Sequence, residues 1–153
     1  MAAAEPATLV ALGDSLTQGY GLSVDEGFVP QLQAWLDSQG VEVTVINAGV
    51  SGDTTAGGLA RVGWTLGGQD VDAMIVALGG NDFLRGLDPV DSRANLSGVL
   101  AAAAEADVKV LLVGMAVAQA VLGSLRTYLF SDTTNRIDIS LGATIIDHLL
   151  RLP

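Results

Sequence analysis

Short apolar runs alternate with longer amphipathic stretches along this chain. Residues 8–12 (TLVAL) read as a short, continuously apolar buried strand. Residues 25–39 predict a helix, with Phe28, Leu32, Trp35 and Leu36 on one face and Gly40 as the stop. Pro30 fits only near the first turn of that helix, where a missing N–H breaks no helical bond. Residues 41–46 (VEVTVI) are rich in β-branched side chains and predict a second strand. A second helix is predicted over 54–65, carrying Leu59 and Val62, and a third strand over 73–78. Residues 91–106 predict an alanine-rich third helix with Leu96, Val99 and Leu100 inward, and 108–113 a fourth strand. The order is βαβαβαβ without internal repeat, the pattern of an α/β fold whose parallel sheet is covered on both faces. Beyond Met115, residues 116–130 read as a helix, 131–136 as a loop, and 137–152 as a short strand and then a helix.

In such sheets the ligand site lies beyond the carboxyl ends of the strands, near the switch point. Three Gly-rich polar stretches, 13–21, 47–53 and 79–82, come after the first three strands and so face one end of the sheet. The first holds Ser15. A serine hydroxyl becomes a nucleophile when a base removes its proton; otherwise a serine here is a helix cap or turn residue. It is not the Gly-x-Ser-x-Gly elbow, because Thr17 stands at the second glycine. The glycines of 47–53 can turn backbone N–H groups toward a ligand, and Asn81 offers a side-chain amide at the same rim. Acyl transfer needs such donors around a developing oxyanion. Each stretch alone is an ordinary strand-to-helix turn; the signal is three at one rim with a serine in the first. Asp14 and Asp82 are expected to brace these turns through backbone N–H groups. Met74, Met115, Trp35 and Trp64 read as core or helix-packing residues. Asp138 reaches the site only if 137–140 is a strand.

Composition narrows the chemistry. The 153 residues suit one domain, and with 50% hydrophobic and 16% charged residues the chain can bury a core. Its net charge is -10, and its one lysine is Lys109, with no basic cluster anywhere. This argues against nucleic acid and anionic membrane surfaces as partners. There is no cysteine and a single histidine, so thiolate chemistry, a disulfide framework and a Cys- or His-rich metal site are excluded. A nucleotide-binding domain is discounted, since neither Gly-x-Gly-x-x-Gly nor a Walker lysine comes after a strand. No apolar run is long enough to span a bilayer, so membrane insertion is not expected. The first residues lack the basic start and apolar middle of a signal peptide. The chain is thus expected to be cytoplasmic, or periplasmic or secreted after loss of a leader.

The three stretches resemble the sequence blocks of the SGNH (GDSL) hydrolase family, in its branch of bacterial acyl-thioesterases, lysophospholipases and arylesterases. Gly13-Asp14-Ser15-Leu16 is similar to the nucleophile block. Asn47-Ala48-Gly49-Val50-Ser51-Gly52-Asp53-Thr54 is similar to the second block. Leu78-Gly79-Gly80-Asn81-Asp82, with Leu84-Arg85-Gly86, is similar to the third. The resemblance covers roughly residues 8–115. It implies a three-layer α/β/α sandwich with a flavodoxin-like parallel sheet. It implies Ser15 as nucleophile, with an oxyanion hole formed by the Ser15 and Gly52 backbone N–H groups and the Asn81 side chain. It also implies hydrolysis of esters and thioesters without metal or cofactor. The chain then reads as one domain over 1–153, family-like over 1–115 and divergent over 116–153.

The divergence concerns the base. The family carries Asp-x-x-His near its C-terminus, usually with proline next. Here His148, the only histidine, sits in Ile145-Ile146-Asp147-His148, with Ile145 at the aspartate position and Leu149 replacing the proline. Asp147 adjoins His148, and helix neighbours do not face each other, so it is a poor partner for the imidazole. Three readings stand open: a frame-shifted or truncated tail, a rebuilt tail that brings His148 to Ser15 by another route, or a non-catalytic relic. The bland reading of His148 is a surface histidine favoured by a helix C-terminus. The expected function is two-step hydrolysis of small, uncharged or weakly charged acyl esters by Ser15. The alternative is a catalytically impaired scaffold or acyl-binding module. A lost C-terminal strand would also leave a sheet edge open to self-association.

Overall fold

A computed structural model describes residues 6–68 and 70–114. The expectations for Met115 and for 116–153, with Asp138, Asp147 and His148, lie outside the described residues. Four strands are present among the described residues: β1 (Ala7–Gly13), β2 (Val43–Gly49), β3 (Ala73–Ala77) and β4 (Lys109–Leu112). The helices are α1 (Ser15–Gln18), α2 (Phe28–Ser38), α3 (Thr55–Gly67), α4 (Gly80–Leu84) and α5 (Pro89–Glu105), with a 3₁₀ turn at Val24–Glu26. The strands form one parallel sheet in the order β2-β1-β3-β4. The chain runs from β1 outward to β2, then crosses back to β3 on the other side of β1. The switch point therefore lies at the end of β1, as the flavodoxin-like expectation requires.

Burial explains the pattern. β1 is central, and Val10, Ala11 and Leu12 are almost wholly buried, which is why its run is continuously apolar and not alternating. Val10, Leu12, Met74 and Val76 form one cluster with Val62 of α3 and Val99 and Ala103 of α5. Ala11 and Ile75, one residue out of phase, point to the opposite face. Each fully buried Leu or Val contributes about 1.5–3 kcal/mol. The helix starts are capped as the sequence allows. Asp14 accepts from Leu16 N–H at 3.0 Å, Thr54 from Gly57 N–H at 3.3 Å, and Asp88 from Val90 N–H at 2.8 Å, with Pro89 opening α5.

Three expectations need correction. The segment 25–39 is not one helix: α2 starts at Phe28, after the separate 3₁₀ turn and an extended Gly27. Its buried stripe runs through Val29, with Leu32 and Leu36 half-buried, whereas Phe28 and Trp35 are 44% and 59% exposed. Those two lie seven residues apart at the margin of the stripe, and the sheet does not reach them. Trp64 is 85% exposed and packs no core. Gly13 and Asn47 to Gly49 belong to strands, since Ala11, Leu12 and Gly13 pair with Asn47, Ala48 and Gly49. No helix among the described residues is long and apolar enough to cross a membrane.

Candidate active site

The paired ends at Gly13, Gly49 and Ala77 stand level, so the segments that leave β1, β2 and β3 gather at one rim. Ser15 lies just past the end of β1. It is the first residue of α1, a single turn capped by Asp14, where the sequence suggested a loop. The Ser15 carbonyl accepts from both Gly19 and Tyr20 N–H at 3.0 Å, which closes the turn and fixes the Ser15 backbone. The turn rests on the end of β2. A methyl group at Gly49 would lie 2.2 Å from Gln18 N and 2.7 Å from Gln18 Cα, so only glycine lets α1 sit there.

The stretch after β2 makes a tight turn, with Asp53 N–H donating to Val50 O at 3.1 Å. Gly52 within it has φ +78°, a left-handed conformation that a side chain resists. Arg85 Nη2 donates to Gly52 O at 2.7 Å and holds that peptide from the α4 side. Among the described residues, neither Ser15 N–H nor Gly52 N–H donates to a protein acceptor. No hydrogen bond involves Ser15 Oγ among them either, and the one histidine lies outside them. Asn81, in α4, donates from Nδ2 to Asp53 O at 2.8 Å and to Asp14 Oδ2 at 3.3 Å. Its amide thus spans the residue beside Ser15 and the residue beside Gly52. The structure brings Ser15, Gly52 and Asn81 to one rim.

Asp82 is 3% exposed and does what a strand-end aspartate was expected to do. It accepts from Thr55 N–H at 2.9 Å, from the Thr55 hydroxyl, and from Ser92 Oγ at 3.0 Å. Burial raises its carboxyl, and the bonds from Thr55 and Ser92 outweigh this, leaving it below its ordinary value. Asn95 Nδ2 extends the network to Thr55 Oγ1 at 3.2 Å. Asp82 therefore ties α4, the start of α3 and the start of α5 behind Asn81.

Sequence reasoning missed Arg61. Its guanidinium, on α3, bonds Asp53 Oδ2 at 2.8 Å, Ala48 O at 2.8 Å and Gly13 O at 3.0 Å. Only the fold brings a carboxylate and two strand-end carbonyls together, so no local spacing announces it. Among the described residues, no group of three or more His, Asp or Glu is placed to hold a metal. An apolar cavity of about 640 Å³ lies between α4, α5 and β4, and Ser15, Gly52 and Asn81 do not line it.

The family described as "GDSL-like Lipase/Acylhydrolase family" has a model that matches residues 11–145. Esterase TesA of Pseudomonas aeruginosa is 41% identical over 108 residues, 71% of this chain and 54% of that protein. Thioesterase 1/protease 1/lysophospholipase L1 of Escherichia coli K12 is 37% identical over 110 residues, 72% of this chain and 51% of that protein. The chain spans about half the length of these curated relatives. Among solved structures, AlinE4, described as an SGNH-hydrolase family esterase, superposes with a TM-score of 0.69 at 45% identity, over 72% of this chain and 60% of that one. A short likeness of 33 residues, 22% of this chain and 5% of that protein, is 58% identical to the leukotoxin export ATP-binding protein LtxB of Aggregatibacter actinomycetemcomitans.

Proposed function

The chain belongs to the GDSL-like lipase/acylhydrolase family, and we propose that it is a serine hydrolase of small acyl esters and thioesters. The observation that carries this reading is the Asn81 amide, held between Asp14 and Asp53 at the rim where two backbone N–H groups, of Ser15 and Gly52, have no protein acceptor among the described residues. In the proposed reaction Ser15 Oγ attacks the acyl carbonyl, and the new oxyanion accepts from Ser15 N–H, Gly52 N–H and Asn81 Nδ2. The 3.3 Å contact of Asn81 with Asp14 is the weaker of its two, and is the one the oxyanion replaces. The tetrahedral intermediate collapses to an acyl-Ser15 ester and releases the alcohol or thiol. Water then attacks that ester and frees the acid. The proton of Ser15 passes to a base and on to the leaving group, and His148, the chain's one histidine, is proposed for that role. The net charge of -10 favours neutral or weakly charged substrates over strongly anionic ones.

The test is hydrolysis of p-nitrophenyl acetate by the parent beside Ser15→Ala, Asn81→Ala and His148→Ala. Ser15→Ala and His148→Ala are expected to lose turnover by orders of magnitude, and Asn81→Ala to lose about 10²–10³ in kcat, the value of one oxyanion donor. A parent no faster than Ser15→Ala overturns the reading and favours a binding module that has lost its base.

A further inference from the structure

We propose that Arg61 is a positioning residue of the oxyanion hole, acting beside Arg85, a role that rests on the reading of Ser15, Gly52 and Asn81 above. Arg61 touches none of the reacting atoms. Its three bonds reach the last carbonyl of β1, a carbonyl near the end of β2, and the carboxylate of Asp53. Gly13 O, which precedes Ser15 by two residues, accepts from Arg61 Nη2 and from Val50 N–H together. Asp53 is the residue next to Gly52, and its own carbonyl accepts from Asn81. One guanidinium thus links the segment that presents Ser15, the turn that presents Gly52, and, through Asp53, the amide of Asn81.

The surroundings are built for this pair. The Asp53 and Arg61 side chains are 11% and 23% exposed. The second carboxylate oxygen of Asp53 accepts from Thr54 N–H at 3.1 Å. A methyl group at Gly57 would collide with Asp53 Oδ1, so the helix start is kept bare to admit the carboxylate. Without Arg61, Asp53 would be a largely buried charge without its counter-ion, which is strongly unfavourable and drives the carboxylate toward water. Gly52 and the Asn81 acceptor would move with it. Lysine cannot replace the brace, because a single ammonium does not present three donors in a planar fork.

The experiment compares the parent, Arg61→Met, Arg61→Lys and Val99→Ala. Val99 is a fully buried core residue of α5, outside the site, and its truncation lowers stability without touching the brace. Amide ¹H–¹⁵N spectra read the Gly52 N–H and the Asn81 side-chain pair directly, whether or not the protein turns over. Both signals are expected to shift in Arg61→Met, to shift less in Arg61→Lys, and to hold still in Val99→Ala. In the esterase assay Arg61→Met is expected to lose about 10–100-fold in kcat with KM within about twofold, since misplacement of a catalytic group is felt in the transition state. Unmoved Gly52 and Asn81 signals in folded Arg61→Met, or a kcat loss no larger than that of Val99→Ala, overturns the proposal. If Arg61→Met does not fold, Arg61→Lys decides by the same two readings. A parent without esterase activity defeats the proposed function alone, and the spectra still decide the positioning role.

Discussion

Asp82 is buried, ionised and saturated with donors from Thr55 and Ser92, and its carboxyl lies below the ordinary 3.8. A carboxyl lowered on folding adds stability that is complete above its unfolded pKa. That stability drains as pH falls through the folded value. Thermal unfolding of the parent and Asp82→Asn should therefore show a gap that is widest near neutrality and narrows below about pH 4. A gap constant from pH 7 to pH 3 would contradict the assignment. The bracing roles of Asp14 and Asp82 were legible in the sequence, because an aspartate after a buried strand has orphan backbone N–H groups within reach. The tryptophans were not. Trp35 and Trp64 sit at plausible helical spacings, but hydrophobicity alone does not tell which margin of a stripe the sheet reaches. Arg61 was not legible either, since its partners come from the end of β1 and from the 47–53 stretch, which only the fold brings together around one guanidinium.

At the scale of elements, the site depends on one-turn helices seated on strand ends. α1 and α4 have four and five residues, too few for a 3.6-residue period to register, so the sequence offered loops there. The glycines that seat them were visible, though their reason was not. Gly49 is bare because the backbone of α1 lies where its side chain would be. Gly49→Ala must push Gln18, and with it Ser15, away from β2, at a cost of about 1–3 kcal/mol for overpacking. The expected result is a lowered unfolding temperature together with a loss of esterase activity larger than any loss of fold. Full activity in Gly49→Ala would mean that α1 does not need this seat. The outer edge of the sheet is also managed by a side chain. Gln33 of α2 donates to Val43 O at 2.9 Å and accepts from Val45 N–H at 2.7 Å, satisfying groups that β2 would otherwise present to another strand.

For the whole molecule, sheet order and parallel register set the layout. Four apolar runs and three crossovers were enough to predict that 13–21, 47–53 and 79–82 meet at one end, and the order β2-β1-β3-β4 brings them there. The family match covers residues 11–145, and the chain spans about half of its curated relatives. The site therefore stands or falls on whether Ser15 is reactive in this chain. The most direct measurement is the intact mass of the parent and Ser15→Ala after incubation with a small fluorophosphonate, with peptide mapping of the product. One phosphonyl group is expected on the parent, carried by the peptide containing Ser15, and none on Ser15→Ala. An unmodified parent, or equal labelling of the two proteins, would contradict the assignment of Ser15 as nucleophile.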